Sequence, residues 1–206
     1  MLEALDLAAQ RGNLRLFSAL SFRVEAGSAL VVTGANGTGK TTLLRILAGL
    51  CTPTAGRVRW HGEDVPPHAE RLREDAVYCG HLPALKDELT AQENLRALVD
   101  LSGEVATPAA VRDALARVEL GRQAHLPARA LSQGQRRRLG LARLALTRRP
   151  LWLLDEPATA LDTAGVALLT QLLCAHVQRG GCAVAATHQT LDLPAAHVAS
   201  LSLSPS

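Results

Sequence analysis

The run Ala29-Leu30-Val31-Val32-Thr33-Gly34-Ala35-Asn36-Gly37-Thr38-Gly39-Lys40-Thr41-Thr42-Leu43-Leu44 decides how this 206-residue chain folds. Its first five residues are apolar or β-branched and predict a buried strand. Thr42-Leu43-Leu44-Arg45-Ile46-Leu47-Ala48 predicts a helix, and between the two lies a G-x-x-x-x-G-K-[ST] loop. Strand, glycine loop and helix in that order are what a phosphate cradle requires. Glycines let the backbone curl until successive N–H groups converge on phosphate oxygens, and the helix N-terminus adds its partial positive charge at the same point. The candidate nucleotide-binding residues are therefore Gly34, Ala35, Asn36, Gly37, Thr38, Gly39, Lys40, Thr41 and Thr42. Lys40 can reach the β- and γ-phosphates, and the Thr41 hydroxyl can ligate a bridging Mg²⁺. The bland alternative is a glycine turn with no ligand. With only two lysines in the chain, Lys40 and Lys86, a chance match anywhere is roughly a one-in-a-thousand event.

Working outward, residues 1 to 33 read as strands, with a turn at Ala26-Gly27 before the strand that feeds the loop. Beyond the loop helix, Pro53-Thr54-Ala55-Gly56 is a turn, Arg57-Val58-Arg59-Trp60 alternates as a half-buried strand, and Ala76-Val77-Tyr78-Cys79 is another short strand. From about Thr90 to Arg148 the pattern turns helical. Ala91-Gln92-Glu93-Asn94-Leu95 opens one helix, and Thr107-Pro108 opens another with an N-cap and a proline at the first helical position. Strands return at Leu151-Trp152-Leu153-Leu154 and Cys182-Ala183-Val184-Ala185-Ala186, with a helix from Ala164 to Arg179 between them. The implied fold is an α/β P-loop core with N-terminal antiparallel strands and an inserted helical subdomain. Residues 1–89 and 149–206 form the core, and 90–148 form the insertion.

Composition sets bounds on the possible partners. The chain is 48% hydrophobic and 20% charged with a net charge of +3, enough to bury a core and too balanced to demand a nucleic-acid partner. The densest basic cluster, Arg136-Arg137-Arg138, is expected to form a solvated helix face. Cys51, Cys79, Cys174 and Cys182 make no C-x-x-C pair and read as small core fillers in a reducing compartment. The acidic start Met1-Leu2-Glu3-Ala4-Leu5-Asp6 is unlike a signal peptide, and no window reaches the roughly 18 apolar residues of a membrane span. The expectation is a cytoplasmic chain that reaches a membrane only through a partner.

Two further stretches carry chemistry. Leu151-Trp152-Leu153-Leu154 runs into Asp155-Glu156; a central parallel strand would deliver Asp155 to the carboxyl edge of the sheet as a Mg²⁺ ligand, with Glu156 next to it as general base for an attacking water. An acidic strand end facing solvent is the alternative. Leu131-Ser132-Gln133-Gly134-Gln135 precedes an amphipathic helix expected from Gln135 to Thr147. Ser132, Gln133, Gly134 and Gln135 make either an ordinary helix cap or a second anion site.

Taken together, the phosphate loop, the Leu131–Gln135 stretch and the Asp155-Glu156 strand resemble the nucleotide-binding subunits of ABC transporters along the full length of the chain. The resemblance implies ATP and Mg²⁺ as ligands and ATP hydrolysis as the activity. It makes Leu131 to Gln135 the signature loop, Ala160-Leu161-Asp162 the D-loop, and His188 in Ala185-Ala186-Thr187-His188-Gln189 the histidine that contacts the γ-phosphate. It also implies a head-to-tail dimer of two copies, each ATP lying between one chain's phosphate loop and the other's signature loop. Such subunits usually carry a glutamine nine residues before the threonine of a T-x-x-E-N-L stretch. Here that stretch is Thr90-Ala91-Gln92-Glu93-Asn94-Leu95, and the position holds His81, whose imidazole can ligate or hydrogen-bond in place of the amide. The aromatic that normally stacks on adenine is missing. Arg11 lies near its position, where a guanidinium plane either stacks on the base or stays solvated.

More narrowly, the short length, the Gly80-His81-Leu82-Pro83 segment, the run Leu131 to Leu144 and the stretch Leu153 to Asp162 are similar to the ATP-binding subunits of the cytochrome c maturation haem exporter. That resemblance implies an integral membrane subunit and haem-handling membrane proteins as partners, and a peripheral place on the inner membrane. Haem export and release of a haem-loaded chaperone are both compatible with it. An exporter ATPase for another substrate, a soluble ABC-type ATPase acting on DNA or ribosomes, and a regulatory subunit without turnover are the alternatives. The DNA-repair type needs a long coiled-coil insertion, the ribosomal type needs two cassettes, and Glu156 and His188 argue against loss of turnover. Leu82, Pro83, Ala84 and Leu85 are consecutive apolar residues, expected to form an exposed contact for the membrane subunit or else to cap the core beneath the helices.

Overall fold

The computed structural model describes residues 1–194 and 197–204. In chain order its first elements are β1 (Leu2–Arg11), β2 (Leu14–Val24), β3 (Ser28–Thr33), α1 (Lys40–Leu47), β4 (Ala55–Trp60), β5 (Glu63–Val65), α2 (Glu70–Asp75) and β6 (Ala76–Cys79). They are followed by α3 (Ala91–Asp100), α4 (Pro108–Arg117), α5 (Gln133–Ala142), β7 (Leu151–Asp155), α6 (Thr163–Gln178), β8 (Cys182–Ala186) and β9 (Val198–Ser202). The chain divides into two compact units, one of Met1–Tyr78, Arg149–Glu156 and Leu173–Ser206, the other of Cys79–Arg148 and Pro157–Leu172. The helical stretch expected over 90–148 lies within the second unit, which also takes in Cys79 to Leu89 and Pro157 to Leu172.

In the first unit, β2, β1, β4 and β5 form an antiparallel sheet in that order. A second sheet has the order β6-β7-β8-β3-β9, with β7, β8, β3 and β9 parallel. β7 and β8 are buried at every position, as apolar runs without alternation demand of strands covered on both faces. The core joins Leu30 and Val32 of β3 and Leu151 and Leu153 of β7 to Leu43, Leu44 and Leu47 of α1 and Leu2, Ala4 and Leu7 of β1. Burying each such leucine contributes about 1.5–3 kcal/mol, so α1 is fixed by its apolar stripe rather than by propensity.

The second unit is built on α3, α4 and α5 around Leu95, Val99, Val111, Leu115, Leu139 and Ala142. α3 starts at a capping box: the Glu93 N–H donates to Thr90 Oγ1, and Thr90 N–H donates to the Glu93 carboxylate. The Thr90 hydroxyl, which donates to the Glu93 carboxylate at 2.7 Å, and after it the Thr90 N–H hold that carboxyl below its ordinary range. Thr107 caps α4 with Pro108 at the first helical position, as the sequence predicts.

The helix predicted for Gln135 to Thr147 differs from expectation in two ways. It begins at Gln133 and ends at Ala142, after which Arg143–Ala145 tighten into a 3₁₀ turn. The basic cluster is also not a solvated face, because Arg137 is only 5% exposed and the Arg138 side chain is largely covered by Glu119 and Asp162. Helical spacing gives the reason: Arg137 and Arg138 stand four and three residues before buried Leu141, on the face that turns inward. The apolar run after His81 is likewise split. Leu82 is 80% exposed, whereas Leu85 packs on the helical core. All four cysteines are free; Cys79 and Cys182 are buried, Cys51 is partly buried against the core of the first unit, and Cys174 is partly exposed.

Candidate nucleotide site

β3 ends at Thr33, and the chain reverses through Gly34, Gly37 and Gly39, each with positive φ, into α1. At Gly34 a Cβ would lie 2.4 Å from the Leu203 carbonyl oxygen and 2.9 Å from Thr38 Oγ1. At Gly39 a Cβ would press on Leu16 and on the Phe17 ring at 3.0–3.2 Å. Only glycine permits both the turn and the close approach. Gly39 serves as N-cap of α1 without any side-chain cap, which leaves amides of the first turn available to an anion.

Lys40 is buried, and its Nζ donates to the carbonyls of Gly34 at 2.8 Å and Ala35 at 3.1 Å. Nζ also lies 3.0 Å from His188 Nε2 and 4.0 Å from Glu156 Oε1. His188 Nε2 is in turn 3.3 Å from Glu156 Oε1 and 3.2 Å from Asn36 Oδ1. One ammonium, one carboxylate, one imidazole and one amide thus meet at the mouth of the loop. A phosphate replacing the Gly34 and Ala35 carbonyls would exchange neutral acceptors for anionic ones, making hydrogen bonds about twice as strong.

β7 delivers the carboxylates. Asp155 pairs with Ala186 of β8, which also pairs with Val32 of β3, so only β8 stands between the end of β7 and the strand that feeds the loop. Asp155 is buried, and Thr41 Oγ1 donates to its Oδ1 at 3.1 Å. The Tyr78 phenol lies against Asp155 and Arg45; burial pushes it above its ordinary value, Asp155 adds in the same direction and Arg45 opposes. Glu156 follows with φ of +48°, an uncommon conformation for a residue with a Cβ, and its N–H donates to the Ala186 carbonyl at 2.8 Å. That turn takes Glu156 off the strand line and beside Lys40 and His188, at a backbone cost of order 1 kcal/mol. A hydroxyl and a carboxylate facing each other are hard oxygen donors suited to Mg²⁺, which takes one or two protein oxygens and completes its shell with phosphates and water. Among the described residues there is no cluster of three or more His, Cys, Asp or Glu suited to a metal held by protein alone.

The structure brings Gly34 to Thr42, Asp155, Glu156 and His188 together in the first unit. Arg11 is exposed at the end of β1, paired across the hairpin with Leu14, and its side chain has no ion-pair or hydrogen-bond partner among the described residues. Its hairpin is seated on the phosphate loop through Leu16 and Phe17. His81, Ser132, Gln133, Gly134 and Gln135 belong to the second unit. Ser132 caps α5 in a capping box, its Oγ accepting from Gln135 N–H at 3.2 Å while its own N–H donates to Gln135 Oε1 at 2.9 Å. The Gln133 and Gly134 amides of that first turn are left for an anion. Sequence reasoning missed Tyr78, although it is the only tyrosine in the chain and stands on a strand rich in small residues, and it misassigned Arg137 to solvent.

A glycine cradle on one parallel strand and a carboxylate-ended strand two places away define a P-loop NTPase. A sequence profile described as ABC transporter matches residues 17–159. The cytochrome c biogenesis ATP-binding export protein CcmA of Pseudomonas aeruginosa is 51% identical over 193 residues, covering 94% of this chain and 95% of that protein. Among solved structures, a putative ABC transporter ATP-binding protein from Pyrococcus furiosus superposes with a TM-score of 0.85 at 23% identity, covering 98% of this chain and 96% of its own, a likeness of fold. The ATP-binding cassette MJ0796, solved as a dimer in a post-hydrolysis state bound to ADP and Pi, gives a TM-score of 0.79 at 25% identity over 92% of this chain and 88% of its own. The chain belongs to the ABC transporter ATPases, in the branch of the cytochrome c biogenesis ATP-binding export proteins. It is accordingly an ATPase. Among the described residues no helix is long and apolar enough to cross a membrane.

Proposed function

We propose that the chain hydrolyses ATP to drive a membrane complex of cytochrome c biogenesis, and that the work done is haem export or release of a haem-loaded chaperone. The observation that carries the catalytic part is the convergence of Glu156, His188, Lys40 and Asn36 at the mouth of the phosphate loop. In this reading Lys40 and the loop amides bind the β- and γ-phosphates. Thr41 and Asp155 hold Mg²⁺, which when bound offsets the charge of those phosphates. Glu156 takes the proton of the attacking water, and His188 steadies the γ-phosphate. His81 stands in for a glutamine as the contact that senses the γ-phosphate.

The signature residues 131–135 serve a second copy of the chain. A helix N-terminus with spare amides in the unit that does not hold the phosphate loop supports that reading, as does a related cassette solved as a dimer. An integral membrane subunit, with haem-handling membrane proteins beside it, would then hold the ATPase at the inner membrane.

Replacing Glu156 with Gln tests the chemistry. The variant should still bind MgATP and should turn over at least about a hundred-fold more slowly, within the range of general-base loss. Turnover at the wild-type rate would remove Glu156 from the role. Mixing tests the shared site: Lys40→Ala and Ser132→Arg chains, each inactive alone, should recover activity together because one composite site of the mixed dimer is intact. Normal hydrolysis by Ser132→Arg alone would rule out the shared site.

A further inference from the structure

Arg137 is a cation buried to 5% exposure in the middle of α5, and its guanidinium reaches three backbone carbonyls from two distant segments. Nη1 donates to Gly80 O at 3.1 Å and to His81 O at 2.8 Å, while Nε donates to Pro157 O at 3.1 Å. Gly80-His81 leads out of β6, and Pro157 is joined by its peptide bond to Glu156. One turn further along α5, a Cβ on Gly140 would lie 2.9 Å from Pro83 Cβ, so the same loop bears on the helix at a second point. Burying a guanidinium is costly unless its donors are met, and a planar fork with fixed N–H directions can span several carbonyls where an ammonium cannot.

We infer that Arg137 is a positioning residue for hydrolysis: it fixes the His81 carbonyl and the carbonyl of Pro157, the residue after Glu156, to the helix whose first turn is Ser132-Gln133-Gly134. It acts through these groups and touches no reacting atom. The inference rests on the proposed roles of His81 and Glu156 and adds the part that anchors His81 and the residue next to Glu156. α5 becomes the element through which a phosphate at its N-terminus and the two loops are registered together. Losing the fork should therefore slow turnover without weakening nucleotide binding, because the binding residues Gly34 to Thr42 make no use of it.

The test is a double-mutant cycle on the full chain with Arg137→Lys, His81→Ala and the double variant, measuring MgATP Kd, kcat and melting temperature. Arg137→Lys keeps the charge and loses the fork. It should leave MgATP Kd within about three-fold of wild type and lower kcat at least about ten-fold. In the double variant the loss should fall well short of the product of the two single losses, since both changes disable one unit. Gly140→Ala, which crowds Pro83 and leaves the guanidinium in place, should lower kcat in the same direction. If Arg137→Lys fails to fold, Arg137→Gln, which keeps a planar donor, is judged by the same criterion. Unchanged kcat, or losses that simply multiply, would overturn the role, and a rise in Kd together with a fall in melting temperature would reduce Arg137 to a structural strut. Failure of wild-type chain to bind or hydrolyse MgATP would instead overturn the underlying reading, so the two failures are distinct.

Discussion

At the scale of single residues the site divides by how far apart in sequence its partners lie. Gly34 to Thr42 was legible because one contiguous stretch carries the whole cradle, and Asp155-Glu156 because an apolar run that ends in two acids reads as a buried strand with both carboxylates at its carboxyl end. Tyr78 and Arg137 were not legible. Their roles depend on which distant carboxylate or carbonyl the fold brings near, and a buried arginine reads in sequence like any surface arginine. Arg11 stands between these cases: its position on a hairpin that abuts Gly39 is set, and its guanidinium is uncommitted. A guanidinium stacked on an exposed base contributes about 0.5–1 kcal/mol. Arg11→Ala should therefore weaken MgATP binding about two- to five-fold and leave tripolyphosphate binding unchanged, as measured by titration calorimetry. Equal weakening of both ligands would mean that Arg11 supplies charge alone.

At the scale of elements, α6 carries a histidine that the site does not use. His176 is 4% exposed, lies flat on the Trp152 indole of β7 with ring centres 3.9 Å apart, and has Nε2 3.0 Å from the Cys182 carbonyl. Burial pushes its imidazole down to about 4 from the ordinary 6.5, outweighing the Cys182 carbonyl, which favours the charged form. The sign follows from which state takes up the proton first. Above pH 6.5 the ring is neutral folded or unfolded; between pH 6.5 and 4 the unfolded chain is protonated and the folded one is not, so stability falls as pH falls. The loss should approach roughly 3 kcal/mol near pH 4. His176→Phe keeps a ring on Trp152 and removes the titration. Urea midpoints from pH 7.5 to 4.5 should fall more steeply for wild type than for this variant, and parallel curves would show that the imidazole is solvated in the folded chain. The element pattern itself was legible in the sequence: α4 begins where Thr107-Pro108 predicts, and α6 is shifted by one residue at each end. α5 was not, because its 3₁₀ end and its inward arginines answer to packing rather than to local pattern.

At the scale of the whole molecule, ATP turnover must be passed to a partner, and the loop after His81 offers a surface for that contact. Consecutive apolar residues with no alternation cannot all be buried in a sheet, which is why the sequence marks Leu82 to Leu85 as a contact; it could not say which of them point outward. The fold separates them: Leu82 is exposed, and Leu85 packs on the helical core with Leu95 and Leu115. A single exposed leucine is ordinary on a protein surface. This one, however, is adjacent to His81, whose carbonyl is anchored to α5, so a partner gripping Leu82 would pull on the segment proposed to sense the γ-phosphate. Leu82→Asp should abolish co-purification with the proposed membrane subunit while the ATPase activity and melting temperature of the isolated chain stay near wild type. Leu85→Asp should cost several degrees in melting temperature, since it puts a carboxylate against the helical core, and is no test of docking. If Leu82→Asp retains its membrane partner, the contact lies elsewhere, and ATP binding is not transmitted through this loop's apolar tip.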